Sequence, residues 1–450
     1  MSVTAAAPEK FDLVLDNVTL VTPGRPAGRD MAVAICGGAV KRIAPAGELR
    51  HSLADRRIDG RGGLLMPGLV NTHNHSPLMI VRGMVEDIGF APAYTKGVPQ
   101  GHWLSDEETL ALSRLGLLEM IRFGCTSIVD YYRKPLALAQ AANEAGIRAF
   151  LGGRVMDVDT AALAEGRFQH DPALGEATLA DNLKLIAEWD GANNGLIRCF
   201  YGPHAPDTVS RELYRTIAAM AEKDGRQIHT HLAQSRMEVA HMQAREGMRS
   251  SDFLEDVGVL NDRLVAAHCI FLEEDEIGKL GRAGVQVAHA PIGNASFGAA
   301  APIAALAEAG ANITLCTDTK SGDMFEAMRM ALASARLRAK ETFVFDAATV
   351  FGWATTGGAR ALGVEDKVGR IEIGNRADLT LLDSRAPNLY PVVDGFGVIA
   401  HLGSGANVRT VICDGNVLID DGRATWADED EIIATAQAVA DRLWQRARAA

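Results

Sequence analysis

This chain lacks the features of a disulfide-stapled, membrane-embedded or nucleic-acid-binding protein. It has six cysteines in 450 residues. Cys36, Cys125, Cys199, Cys269, Cys316 and Cys413 are dispersed, with no CxxC pair and no tight framework. Reduced thiols, mostly in apolar runs, are expected, and with them a cytoplasmic location. Met1 to Asp12 has no basic start followed by a long apolar core, so no targeting segment is expected there. No run approaches the ~18 apolar residues of a membrane helix, so no membrane partner is expected. An excess of positive charge is also missing. Forty-five basic against 57 acidic side chains leave a net charge of −12, which argues against nucleic acid as a partner because phosphates call for a basic surface.

What is present is an ordinary globular composition, 48% hydrophobic and 23% charged, in a chain long enough for a barrel of about 250 residues plus a smaller domain. The first 60 residues read as short strands, among them Phe11–Leu15, Val18–Val21, Ala32–Ile35 and Val40–Ala44, punctuated by Gly and Pro. The same texture returns in Ala377–Asp383 and in Val408–Ile419, a hairpin turning at Asp414-Gly415. Between them strands and helices alternate. Eight strands are expected: one ending at His73, then Thr126–Asp130, Ala149–Gly152, Ile197–Tyr201, Gln227–His231, Leu264–His268, Val285–His289 and Asn312–Asp318. This pattern predicts an α/β protein, a (β/α)8 TIM barrel with a small β-sandwich domain formed from both termini. The expected division is 1–64 for the N-terminal part of the small domain, 65–366 for the barrel, 367–426 for the rest of the small domain, and 427–450 for a C-terminal helix.

The chemistry gathers at strand ends. His73 and His75 lie two apart, so on a strand both imidazoles face one side and suit one metal ion. His231, His268 and Asp318 each end a short apolar run. A lone strand-end histidine is more often a hydrogen-bonded core residue. Five such groups on successive strands follow the plan of a metallohydrolase barrel, whose active site lies at the C-terminal ends of its strands. Imidazoles with one carboxylate favour zinc or iron(II) over Mg2+ or Ca2+. In such a site Asp318 takes a proton from water, and His268 orients the nucleophile or polarises the substrate. His229 shares a face with His231, and spacing alone does not choose between them.

At these positions the chain resembles the amidohydrolase superfamily. The segment Pro67-Gly68-Leu69-Val70-Asn71-Thr72-His73-Asn74-His75 is similar to its opening metal motif. More narrowly, the resemblance is to the cytosine deaminase-like branch, with the chlorohydrolases (triazine hydrolases) and the methylthioadenosine/adenosylhomocysteine deaminases. Gly202-Pro203-His204-Ala205-Pro206-Asp207-Thr208, His231-Leu232-Ala233, Ala267-His268-Cys269, His289-Ala290-Pro291 with Asn294, and Thr317-Asp318 follow in the order of that branch. Gly369–Gly374 with Ala377-Asp378-Leu379 resembles its return to the small β domain. The resemblance covers nearly the whole chain. It implies one divalent transition metal per chain, zinc first and iron second, held by His73, His75, His231 and Asp318, with His268 beside the bound water. His-Leu-Ala after position 231 favours His231 over His229. No lysine ends the Cys199–Tyr201 strand, so a carbamate-bridged pair of metals is not expected. His204, His289 and Asn294 are implied substrate contacts, and relatives are commonly homo-oligomers.

Two departures stand out. The deaminases carry His-x-x-Glu, and the matching position here is Gln234. An amide hydrogen-bonds a substrate but does not exchange a proton at neutral pH. Either Asp318 and His268 move every proton, or the leaving group needs little protonation, or the substrate is a urea, carbamate or amide. Glu238, one helical turn on, is expected to be a solvated helix residue. The second departure is the loop Glu86–Trp103, which lacks the family's ribose-holding pattern and argues against a nucleoside. Its Phe90, Tyr94, His102 and Trp103 either line an aromatic pocket, cap the barrel or meet another subunit. Lys320 is expected to face solvent. The expected function is hydrolysis of a non-peptide C–N bond in a small cyclic or aromatic nitrogen compound, with His268, Asp318 and Gln234 as catalytic groups and His204, Gln234, Trp103, His289 and Asn294 touching substrate. The alternatives are a dechlorinating or urea-cleaving hydrolase on the same site, and a catalytically silent scaffold.

Overall fold

The computed structural model describes residues 9–449 except 90, 100 and 320; the side chains of residues 92 and 102 also fall outside it. Of the loop and site residues expected above, Phe90 and Lys320 and the side chain of His102 therefore lie outside the described residues.

Both ends of the chain join one hydrogen-bonded sheet of nine strands. Lys10–Leu20 is its longest strand and pairs with Gly28–Cys36, Leu53–Asp59 and Leu64–Pro67. Leu379–Leu382 pairs antiparallel with Leu64–Pro67 and so ties the C-terminal strands to the N-terminal ones. The hairpin forms where Asp414-Gly415 places it, joining Val408–Cys413 to Asn416–Asp420. Asp414 and Gly415 have φ of 53° and 84°, the left-handed pair that a two-residue turn needs to match strand twist.

The apolar run from Leu64 to Thr72, expected as one strand, is split at Pro67-Gly68. Leu64–Pro67 belongs to the nine-stranded sheet, while Leu69–Asn71 pairs with Cys125–Tyr132 in the alternating region. The Gly68 N–H donates to the Asp378 carbonyl at 2.8 Å. A Cβ at Gly68 would collide with the Thr126 side chain, so only glycine lets the chain pass between the two units here.

The eight alternating segments are all strands, and their neighbours pair in parallel. In order they are Leu69–Asn71, Cys125–Tyr132, Arg148–Val155, Ile197–Cys199 extended by Gly202–Pro203, Ile228–Leu232, Leu264–His268, Gln286–His289 and Asn312–Leu315. Parallel bridges Tyr201–Ile228 and Asn74–Asp318 link the fourth to the fifth and the last to the first. Most of these strands are buried along their whole length, as strands covered on both faces must be.

The C-terminal helix spans Glu429–Ala449. Ile432, Ala436, Val439, Leu443 and Ala447 are buried at helical spacing. The Trp444 indole N–H donates to the Ile80 carbonyl at 2.8 Å, so this helix braces the turn Ser76–Val81 that follows His75. No helix among the described residues is long and apolar enough to cross a membrane.

Candidate metal centre

The strand ends bring the expected groups together. One nitrogen each from His73, His231 and His268 lie within 4.8 Å of one another, as do ligand atoms of His73, His75 and Asp318. The Asp318 carboxylate stands 3.8 Å from His73 Nε2 and 3.9 Å from His75 Nε2. Asn71 sets this spacing: its amide donates to Thr317 Oγ1 at 2.8 Å and accepts the Thr317 N–H at 3.2 Å, which fixes the last strand against the first. Ala233, His268, Cys269 and Asp318 all have positive φ, of 48°, 72°, 52° and 56°. Non-glycine residues rarely hold that conformation, and clustering of such strain is a mark of functional sites.

The tautomers follow from the outer partners. His75 Nδ1 lies 2.7 Å from the Tyr131 carbonyl, and His231 Nδ1 lies 2.6 Å from the His204 carbonyl. A carbonyl accepts only, so both Nδ1 atoms carry hydrogen and both Nε2 atoms carry lone pairs. Those two Nε2 atoms face each other at 3.2 Å. Two lone pairs at that distance repel unless a cation lies between them. His73 Nε2 is buried and has no hydrogen-bond partner, while its Nδ1 meets His229 Nε2 at 2.9 Å. His229 therefore stands behind His73. Burial, reinforced by neighbouring cationic or imidazole groups, holds His73, His75 and His231 far below the usual imidazole pKa, in the neutral form a metal needs. The donor set fits a single divalent ion of the zinc type.

His268 Nδ1 meets Asn294 Oδ1 at 3.1 Å, which leaves its Nε2 toward the histidine cluster. A cavity of about 50 Å³ opens over these groups, lined by His75, His204, His231, His268, Asn294 and Asp318 among others. Gln234 is also on this wall, and its amide nitrogen is buried without a hydrogen-bond partner.

One expectation needs correction. Glu238 is not solvated; it is fully buried. Its helix, Arg236–Glu246, starts beneath the strand ends, and Glu238 turns back to accept the N–H groups of Ala233 and Gln234, each at 2.8 Å. Trp103 closes the short turn Gly101–Trp103 of the loop whose Ala91, Ala93 and Tyr94 line the cavity. His289 is buried at the end of its strand, and the helix Pro291–Ser296 that follows it presents Asn294 to the cavity. Burial holds His289 neutral, with its pKa down to about 3.

The sequence reading missed Arg154 and Tyr131. Arg154 lines the cavity, lies over the Tyr132 ring at 5.3 Å and donates to His204 Nε2. His204 Nδ1 bonds the Thr208 hydroxyl at 2.6 Å. The Tyr131 hydroxyl lies 2.9 Å from His231 Nδ1. The available signal was position: each sits at or near the C-terminal end of a parallel strand, where polar residues face the site.

Comparison with known proteins agrees with this geometry. The amidohydrolase family model matches residues 64–418. The chain belongs to the amidohydrolase family. It is 32% identical to a 5'-deoxyadenosine deaminase of Methanosarcina acetivorans, over 97% of this chain and 100% of that protein. It is 31% identical to a 5-methylthioadenosine/S-adenosylhomocysteine deaminase of Pelotomaculum thermopropionicum, over 97% and 99%. Among solved structures, an adenosine deaminase from Xanthomonas campestris with bound zinc superposes with a TM-score of 0.86 at 28% identity, over 97% of this chain and 99% of that one. Atrazine chlorohydrolase from Arthrobacter aurescens TC1, complexed with zinc, shares the fold, with a TM-score of 0.82 at 24% identity over 95% and 100%.

Proposed function

We propose that this amidohydrolase is a metal-dependent, deaminase-type enzyme that hydrolyses a non-peptide C–N bond of a small cyclic or aromatic nitrogen compound. The observation that carries this is the pair of facing lone pairs on His75 and His231, beside the bare Nε2 of His73 and the Asp318 carboxylate. His73, His75, His231 and Asp318 would hold one zinc ion, with iron(II) as the alternative. When bound, such an ion supplies Lewis acidity and a water whose pKa falls to roughly 7.

The protein's own groups divide the remaining work. Asp318 accepts a proton from the attacking water and returns it to the departing nitrogen. His268, whose Nδ1–H donates to Asn294 Oδ1, presents its Nε2 lone pair to the attacking water and orients it by accepting its hydrogen. Gln234 offers its free amide N–H to an acceptor on the substrate, and His204, fixed between Arg154 and Thr208, forms the facing wall. The eight parallel strands are read as a (β/α)8 barrel and the terminal sheet as a sandwich folded on itself. On this reading the chain divides into 1–64, 65–366, 367–426 and 427–450, and the pairing of Leu64–Pro67 with Leu379–Leu382 supports a first boundary close to 64. The six cysteines are unbridged and five are buried, which supports a reducing, cytoplasmic setting. The relatives support an aminated heterocycle as the substrate class, and the loop Glu86–Trp103 supports one without ribose.

Elemental analysis of the purified protein, with ammonia and chloride release measured on aminated, chlorinated and urea-type heterocycles before and after chelation, tests this. About one equivalent of zinc or iron with chelator-sensitive ammonia release is expected. Chloride release without ammonia would select the dechlorinating alternative, for which Gln234 is the motivating residue. A metal-free protein that stays inert after metal is restored would select the silent scaffold.

A further inference from the structure

Gln234 leaves a gap in proton supply. Forming a lactam from a ring amidine requires a proton on the ring nitrogen before ammonia departs, and an amide does not give one up. Among the other wall residues, His75, His231 and Asp318 belong to the metal donor set, and His268 is committed to the attacking oxygen. His204 Nε2 already accepts from Arg154. Arginine is too basic to lose its proton.

Tyr94 remains. It lines the cavity, and its hydroxyl lies 3.1 Å from Asp207 Oδ2. Asp207 is fully buried, and its Oδ1 has no hydrogen-bond partner. Around it stand Glu238, His170 and Arg245. Arg245 spends its guanidinium on the backbone carbonyls of Asp207 and Pro206 and on His170 Nε2, not on the Asp207 carboxylate. His170 is in turn held by Asp157 through Nδ1 at 2.7 Å. Arg154 is the cation that acts on Tyr94 from across the cavity.

Resting on the deaminase reading, we propose that Tyr94 and Asp207 form a two-link proton relay that supplies the proton Gln234 cannot. A phenol has one hydrogen. With Asp207 ionised, that hydrogen points to the carboxylate and the cavity sees only a lone pair. With Asp207 protonated, the acid donates to the Tyr94 oxygen and the phenol hydrogen turns to the substrate. In the step itself the Tyr94 O–H bond breaks as the ring N–H bond forms. The Asp207 O–H bond breaks as the Tyr94 O–H bond is remade. Asp207 is left as a carboxylate. The water proton held by Asp318 leaves in ammonia, and the proton lost as the carbonyl forms refills the relay through Tyr94. No electrons are exchanged with any other group. Burial raises the Asp207 pKa to about 6, so the relay is charged in weakly acidic solution, is only about one-tenth filled at pH 7, and empties as pH rises further.

Tyr94→Phe in the metal-loaded enzyme is expected to lower kcat for ammonia release by about 100-fold, within the range for one acid–base group. KM should stay within about threefold and metal content should not change. Adding Gln234→Glu to Tyr94→Phe should restore most of the rate, because a carboxyl then stands where the family keeps one. Wild-type kcat should fall as pH rises above about 6, and Asp207→Asn should flatten that limb. Wild-type kcat and pH profile in Tyr94→Phe, or no rescue with metal in place, would overturn the relay. Infrared difference titration separates this from failure of the deaminase reading, since it needs no substrate. A buried carboxylic-acid band that titrates near pH 6, shifts in Tyr94→Phe and vanishes in Asp207→Asn is expected; a wild type without that band would overturn the relay whatever the enzyme hydrolyses.

Discussion

The Glu238 carboxylate accepts the backbone N–H of Gln234 at 2.8 Å through Oε2, while its Oε1 takes the N–H of Ala233 and the hydroxyl of Ser250. One buried side chain thus fixes the turn that carries Gln234 from the end of the fifth parallel strand into its helix. Glu238→Ala would leave two buried N–H groups without acceptors, at about 1–3 kcal/mol each. The expected outcome is a loss of roughly 2–5 kcal/mol in urea unfolding, together with a weaker kcat at unchanged metal content, because Gln234 and the site wall lose their anchor.

Glu238 also gives stability a pH dependence. Burial, with the nearby Asp207 charge adding to it, raises its pKa from 4.5 to about 8. The folded state therefore binds a proton that the unfolded chain has released between those two values. Its contribution is fully present below the unfolded value and is lost as pH rises through about 8. Wild-type urea midpoints should fall between pH 6 and 9, and Glu238→Gln, which has no proton to lose, should show a shallower fall. Parallel slopes in the two proteins would assign the dependence to other groups.

His229 and His231 sit on the same strand face but have different tasks. His231 Nε2 points at His75 Nε2, whereas His229 Nε2 meets His73 Nδ1 from behind. His231→Ala is expected to yield protein with little bound metal after dialysis. His229→Ala should keep the ion but bind it about 10–100-fold more weakly, as expected when the group orienting a ligand is removed. Competition with a chelating dye measures both; equal losses would put His229 among the direct ligands.

The candidate metal ligands were legible because spacing and strand ends are local properties. His73 and His75 share a face by strand geometry alone, and Asp318 lies at the end of an apolar run. The Asp414-Gly415 turn was legible for the same reason. What was not legible depends on contacts far apart in the chain. Glu238 looks like a solvated position because its helix opens Arg-Met-Glu, and nothing local reveals that this first turn packs against the Ala233-Gln234 turn. The Tyr94–Asp207 contact joins residues 113 apart in the chain, and no periodicity encodes it. The break at Pro67-Gly68 was visible as a dipeptide but outweighed by the apolar run around it.

Gln234→Glu is the substitution that bears most directly on substrate class. The two side chains are nearly the same size, and the backbone at 234 is already held by Glu238, so the exchange alters proton chemistry with little change of shape. A carboxyl there faces the cavity beside His231 and Asp318, where burial favours the protonated form needed to donate to a ring nitrogen. If the natural substrate is an aminated ring, the variant gains a second proton donor. Ammonia release from aminated triazines, pterins or pyrimidines should then rise about tenfold at neutral pH with metal content unchanged. If the natural leaving group is chloride, or the substrate a urea or carbamate, the added acid contributes little and its negative charge, when ionised, repels the developing oxyanion. A flat or lower rate with a fully metallated site therefore points to one of those chemistries, and measuring ammonia and chloride in the same assay distinguishes them.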